Sequence, residues 1–93
     1  MKTYKLTLFA KGGHGAEPHK AIDATLMASE FIRKLCTYQN YKIVEVNAGD
    51  AFNVIADKSE IIFEFYDKSI ISNIAQSLCT FYGEETNFEI IEI

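Results

Sequence analysis

Short stretches with apolar residues at alternate positions predict four strands in this chain. The four predicted strands are residues 3–11, 41–47, 59–66 and 87–93. The alternation is clear in the third, where Ile61, Phe63 and Phe65 occupy one set of positions and Glu60 and Glu64 occupy the other. A period of two is typical of a strand that buries one face. We therefore expect these apolar side chains to point inward and the two glutamates to point outward.

Two further segments carry apolar residues at helical spacing. The first predicted helix runs from about His19 to Thr37, and Pro18 before it suits the first turn of a helix. The second begins after a capping residue, Asp67 or Ser69, and stops at Gly83. Its apolar positions are Ile70, Ile71, Ile74, Ala75, Leu78 and Phe81. Both helices are amphipathic and are expected to pack on a sheet.

The first predicted helix has more apolar residues than a single sheet-facing stripe requires. The stripe consists of Ala21, Ala24, Ala28, Ile32 and Leu35. Ile22, Leu26, Met27 and Phe31 extend it around the helix. Two explanations remain open: a wide stripe buried in the core, or a second apolar face that packs on another subunit or domain.

The order of the predicted elements is β-α-β-β-α-β, and 93 residues suit one domain spanning residues 1–93. Two split β-α-β units of this kind form a four-stranded antiparallel sheet with both helices on one face. The expected fold is therefore a ferredoxin-like sandwich of the α+β class.

Composition excludes several classes of partner. The net charge is −4, and nine Lys and Arg residues spread along the chain do not form the basic surface that nucleic acid requires. No apolar run approaches the length of about 18 residues that a membrane span needs. Cys36 and Cys79 lie in apolar helical contexts, without a CxxC motif or zinc-type spacing. We expect both to be buried and reduced, in a cytoplasmic protein.

A glycine-flanked histidine between the first strand and the first helix is the strongest candidate for chemistry. Gly12 and Gly13 precede His14, and Pro18 follows. Glycine lets the backbone turn sharply and lets a partner approach closely, which a core histidine does not require. The alternative is an exposed loop histidine without a role. Asp23 is expected to favour the helix dipole in the first turn.

Two motifs resemble one known family. Residues 12–23, GGHGAEPHKAID, resemble the GGHxxxPHxxxDP signature of zinc-dependent amidohydrolases and exopeptidases. That family includes aminoacylases, glutamate carboxypeptidases and indole-acetyl-amino-acid hydrolases. Residues 47–57, NAGDAFNVIAD, resemble its GGxAxNVIPD motif. The resemblance covers nearly the whole chain but only the family's lid, or dimerisation domain.

The resemblance implies roles for specific residues. His14 corresponds to the lid histidine that reaches the partner subunit's active site and stabilises the oxyanion, and Asn53 to the asparagine that holds the substrate. Gly49 is the retained glycine of the second motif. Zinc or another divalent metal is expected in a catalytic domain outside this chain, and no metal ligands are expected within it. The implied partners are that catalytic domain and a second copy, bound through an edge strand and the first helix.

Two departures from the family pattern bear on function. Ala56 stands where the family has proline, and Tyr66 stands where it has an arginine that clamps the substrate carboxylate. A tyrosine hydroxyl cannot replace a bidentate guanidinium. The implied parent cleaves N-acyl amino acids or short peptides, whereas this chain by itself is predicted to have no hydrolase activity. The alternative is a stand-alone ferredoxin-like module that binds a partner or ligand through its edge strand or open sheet face.

Overall fold

The computed structural model describes residues 1–10, 13–14, 22–49 and 54–93, and at 13–14 and 54–55 it describes the backbone. The elements in chain order are β1 (Lys2–Phe9), β2 (Gly13–His14), α1 (Ala24–Leu35), β3 (Lys42–Ala48), β4 (Val54–Ile55), β5 (Lys58–Phe65), α2 (Lys68–Tyr82) and β6 (Asn87–Glu92).

The main sheet is antiparallel, with its strands in the order β3-β5-β1-β6. Leu6 in the centre of β1 lies opposite Ile61 of β5 on one side and Ile90 of β6 on the other. The predicted ferredoxin-like α+β fold is confirmed. β2 and β4 pair as a separate two-stranded ribbon. Sequence patterning missed this ribbon, because strands of two residues have no detectable period.

The core lies between the sheet and the two helices. Its fully buried side chains include Phe31 of α1 and Phe63 of β5, whose ring centroids are 5.4 Å apart. Burial along β5 alternates as predicted, with Ile61, Phe63 and Phe65 buried. Met27 of α1 is also fully buried. Because Met27 and Phe31 belong to the core, the wide-stripe explanation holds for most of α1, and Leu26 alone of the four added residues is clearly exposed, at 56%.

The start of α1 corrects the predicted helix. Ile22 and Asp23 are not helical, and α1 begins at Ala24. Asp23 Oδ1 accepts a hydrogen bond from Thr25 N at 2.9 Å, so Asp23 is the N-cap rather than a first-turn residue. A capping carboxylate satisfies an N–H that the helix leaves free, and this interaction sets the boundary. The earlier part of the predicted helix, from His19, lies outside the described residues.

Two residues, Cys36 and Phe81, are placed differently from the prediction. Cys36 is exposed at the C-cap of α1, although Cys79 is buried, and both thiols are free. Phe81 is 82% exposed. The predicted helical spacing is correct for α2, but Phe81 lies in the last turn, outside the packed cluster that Ile74 and Leu78 join.

The sheet face away from the helices carries ion pairs. Glu60 and Glu64 point outward, as predicted, and each faces a lysine: Lys5 Nζ is 2.9 Å from Glu60, and Lys42 Nζ is 3.9 Å from Glu64. The hydrogen bond between Lys5 and Glu60 raises the pKa of Lys5 and lowers the pKa of Glu60. Among the described residues, no helix is long and apolar enough to cross a membrane.

The cap of α2 yields a pH prediction. Asp67 Oδ1 accepts hydrogen bonds from the Ser69 hydroxyl at 2.6 Å and from Ser69 N at 2.9 Å, and these lower the pKa of the Asp67 carboxyl. A lowered folded pKa stabilises the fold above the unfolded pKa of about 4, and that contribution is lost as the pH falls through the folded value. Urea unfolding between pH 6 and about pH 3 should therefore show a smaller loss of stability for Asp67→Asn than for the wild type.

The control for this prediction is Glu84→Gln, at an exposed position beyond α2. Its unfolding curve should follow the wild type at every pH. Equal pH dependence in Asp67→Asn and the wild type would contradict the capping role of the Asp67 carboxylate.

Candidate functional site

The β2–β4 ribbon joins the two sequence motifs. His14 lies opposite Val54, and Gly13 lies opposite Ile55, in antiparallel register. The backbone of the glycine–histidine motif is thus paired with the backbone that directly follows Asn53. Residues 15–21, between β2 and the start of α1, and residues 50–53 lie outside the described structure, as does Gly12. The functional roles of His14 and Asn53, and the structural roles of Gly12 and Pro18, remain predictions.

The residues on either side of the first motif, Ala10 and Ala24, are hydrogen-bonded to residues 56–57 at the end of the second motif. Ala10, which directly follows β1, donates its N–H to Asp57 O at 2.8 Å. Ala24, where the chain enters α1, donates its N–H to Ala56 O at 2.9 Å. Ala10 before the first motif and Ala24 after it therefore both lie beside the residues that follow β4.

Gly49, near the start of the second motif, also lies beside Ala56. Its φ of +79° lies in the left-handed region, which other residues rarely adopt. A Cβ built on Gly49 would lie 3.8 Å from Ala56 Cβ, which is ordinary contact. The two ends of the second segment are therefore adjacent, and glycine is required there by backbone conformation rather than by lack of space. We define Ala10, Ala24, Gly49 and Ala56 as the loop-anchor cluster.

Ala56, which stands where the family motif has proline, makes contacts that a proline could also make. Its side chain is 6% exposed, and its carbonyl accepts the Ala24 hydrogen bond. Both groups that Ala56 uses, a carbonyl and a Cβ, are also present in proline. The departure from the family motif therefore leaves these contacts possible.

Ser59 is a buried polar residue beside the cluster that the sequence analysis did not single out. Its side chain is 1% exposed, and its Oγ donates to Ala24 O at 2.8 Å. A signal was present: Ser59 occupies an inward position in the same alternation as Ile61 and Phe63. A hydroxyl in such a row needs a hydrogen-bond partner, because burying it without one is unfavourable.

Tyr66 lies far from the loop-anchor cluster. It follows Phe65 at the opposite end of β5 and stacks on the Phe65 ring, with centroids 4.4 Å apart. Seven strand residues at about 3.3 Å each separate it from Ser59, roughly 23 Å in all. Within one chain, Tyr66 and the ribbon therefore cannot contact the same small substrate.

A shallow groove between the helices is also remote from the motifs. It has a volume of about 340 Å³ and lies between the C-terminal part of α1 and the N-terminal half of α2. Lys34, Tyr38 and Asn73 contribute to its lining. The groove is at the other end of α1 from Ala24, so it is not part of the site that the ribbon forms.

The family of the chain follows from a sequence comparison. Residues 1–86 match the model of the peptidase dimerisation domain, M20_dimer. The chain belongs to this family. The observed fold and both motifs agree with this assignment, and it disfavours the alternative of an unrelated interaction module.

The dimerisation domain is similar to parts of proteins described as hydrolases. It is 27% identical over 99 residues to the Bacillus subtilis (strain 168) protein described as "Putative amidohydrolase YhaA", covering 86% of the chain and 25% of that protein. A crystal structure of a "putative aminohydrolase" from methicillin resistant Staphylococcus aureus superposes with a TM-score of 0.77 at 28% identity, covering 97% of the chain and 29% of that structure. The dimerisation domain therefore spans little more than a quarter of the length of these relatives.

A third relative binds metal. The Bacillus subtilis YXEP protein, described as a dinuclear metal binding peptidase from the M20 family, shares the fold with a TM-score of 0.55 at 22% identity, covering 98% of the chain and 26% of that structure. In the described part of the dimerisation domain, no three His, Cys, Asp or Glu side chains group as metal ligands. The described residues therefore do not fit a metal ion.

The backbone conformation at Gly49 gives a test of the loop-anchor cluster. We expect Gly49→Ala to destabilise the domain by about 1–2 kcal/mol, because an L-residue at this φ is strained. Gly49→Asn should cost less, since asparagine tolerates the left-handed region better than alanine. Urea denaturation of the three proteins measures the difference. Equal stability of Gly49→Ala and the wild type would show that the left-handed conformation is not required.

Proposed function

We propose that this chain is the dimerisation domain of a two-domain, metal-dependent amidohydrolase or peptidase and that it supplies His14 to the active site of the partner subunit. The substrates are N-acyl amino acids or short peptides. The observation that supports this most strongly is the pairing of His14 with Val54, because it places the two family motifs on one ribbon. Descriptions of the relatives as amidohydrolase, aminohydrolase and peptidase support the reaction class.

In this proposal His14 acts as a hydrogen-bond donor to the developing oxyanion. Attack on an amide carbonyl moves negative charge onto the carbonyl oxygen, and a donor already held at that point lowers the barrier. Asn53 contributes an amide N–H₂ to a substrate carboxylate or carbonyl. The residue order is suited to joint action, because Asn53 directly precedes the residue that pairs with His14.

The rest of the catalytic machinery belongs to the other domain. Metal-assisted hydrolysis requires about three protein ligands and a general base. A divalent metal held there, zinc or another ion, would activate the attacking water. We place the enzyme in the cytoplasm, which is consistent with the free thiols of Cys36 and Cys79.

The proposed homodimer forms through β3 and α1. β3 is an edge strand of the sheet, and α1 contacts it, whereas the other edge strand, β6, is contacted by α2. Val44 and Val46 of β3 are 52% and 44% exposed. An edge strand offers unpaired N–H and C=O groups, and exposed apolar side chains add burial when a second strand pairs with it. Both features favour addition of the β3 strand of a second copy.

The catalytic part of the proposal predicts a large loss of turnover. In the intact hydrolase, His14→Ala should reduce kcat by roughly 10²–10³-fold, as loss of one oxyanion donor does in other enzymes. Steady-state kinetics with an N-acyl amino acid or dipeptide substrate measures this. Unchanged kcat would exclude His14 as a donor.

Mixed dimers test whether His14 acts across the interface. One subunit carries His14→Ala, and the other carries an inactivating substitution in its catalytic domain. Transfer of His14 across the interface predicts that mixing two inactive proteins restores activity, because one site of the mixed dimer is then complete. Failure to restore activity, with mixed dimers present, would show that His14 serves its own subunit.

The interface predicts a position-dependent effect of a charge on the edge strands. Val46→Lys on β3 should weaken the dimer by at least about tenfold in Kd, because a lysine on a strand edge opposes strand pairing. Ile91→Lys on β6, where the wild-type side chain is 46% exposed, is the matched control and should leave Kd unchanged. Sedimentation equilibrium measures both. A loss of dimer in Ile91→Lys alone would move the interface to β6.

A further inference from the structure

We propose that Ser59 is a positioning residue that holds the ribbon carrying His14 in place, through its hydrogen bond to Ala24 at the start of α1. This inference rests on the proposed function for its catalytic consequence. Its structural content, the coupling of Ser59 to the ribbon, stands independently and can be measured without catalysis.

The Ser59 side chain is hydrogen-bonded to the first residue of α1. Ser59 Oγ donates to Ala24 O at 2.8 Å, and both residues are almost completely buried. The bond links positions 35 residues apart in sequence. It therefore ties the beginning of β5 to the residue at which the chain returns from the first motif.

A second bond makes this connection rigid. Ala24 N donates to Ala56 O at 2.9 Å, so Ala24 is held through both its N–H and its carbonyl. Ala56 and Ser59 are only three residues apart. A single hydrogen bond permits rotation about its axis, whereas two bonds from the same short segment fix both the distance and the orientation of Ala24.

The segment that holds Ala24 is continuous with the strand that pairs with His14. Ala56 directly follows β4, whose Val54 pairs with His14. A third bond, from Ala10 N to Asp57 O at 2.8 Å, ties the residue that directly follows β1 to the same segment. Residues 56–59 therefore hold the chain on both sides of the first motif and carry the strand that pairs with His14.

The Ala24 carbonyl does not depend on the Ser59 hydroxyl for a hydrogen-bond donor. As the first residue of α1, Ala24 also presents its carbonyl to the N–H four residues later, that of Ala28. An alanine at position 59 would suit the apolar inward row of β5 without the cost of burying a hydroxyl. The contribution of the hydroxyl is therefore orientation, and its removal should loosen the ribbon more than the core.

Amide hydrogen exchange of the protein, resolved at Gly13–His14 and Val54–Ile55, tests the coupling. Ser59→Ala should speed exchange at these ribbon amides by roughly tenfold or more, since fewer bonds hold them closed. Ser59→Thr, which keeps a hydroxyl, should restore slow exchange. The control is Asp67→Ala, which removes the N-cap of α2 at the opposite end of the sheet. It should leave the ribbon amides unchanged when the two proteins are compared at equal global stability.

Kinetics of the intact hydrolase supply the second readout. Ser59→Ala should lower kcat by roughly tenfold with little change in KM, because a misplaced oxyanion donor weakens binding of the transition state only. Asp67→Ala should retain both parameters. Ribbon exchange in Ser59→Ala that is unchanged, or that rises no more than in Asp67→Ala, would overturn the positioning role.

The two proposals fail in different ways. Unchanged kcat in His14→Ala removes the catalytic function of the ribbon, yet faster exchange in Ser59→Ala would still establish that Ser59 positions it. Conversely, a large effect of His14→Ala with no effect of Ser59→Ala on exchange or kcat would retain the catalytic proposal and reject the role of Ser59.

Discussion

Packing of α1 on the centre of the sheet is the interaction on which the rest of the domain depends. Phe31 of α1 and Phe63 of β5 are fully buried, with their rings 5.4 Å apart. Because α1 is held over β5 by this contact, its first residue, Ala24, has a defined position above the start of that strand. The two hydrogen bonds at Ala24 depend on this placement of α1. The core therefore determines where both motif segments begin and end.

The domain combines a conventional core with a site that is assembled at one corner. Ala10, Gly49 and Ala56 belong to three different parts of the chain, and their backbones meet where the ribbon leaves the sheet. A group held by rigid elements is better placed for chemistry than one on an unsupported loop. The corner carries backbone from both motifs but lacks metal ligands among its described residues.

Sequence patterning predicted the fold well where burial has a regular period. β5, with buried residues at every second position, and α2, ending at Gly83, were both identified. It was less successful where a single local bond sets a boundary. α1 begins at Ala24 because Asp23 caps it, and Cys36 is exposed because α1 ends beside it. Apolar periodicity contains no information on such caps, nor on where a helix extends beyond the sheet, as at Phe81.

By itself the sequence determined the order of the two helices and the four main-sheet strands, the inward face of β5 and the two family motifs, because period and residue type are local properties. Only the tertiary structure decided that His14 pairs with Val54 and that Ser59 bonds to Ala24. Those contacts join residues about 40 and 35 positions apart. Their geometry depends on how the helix and strands pack together, which no short stretch of sequence encodes.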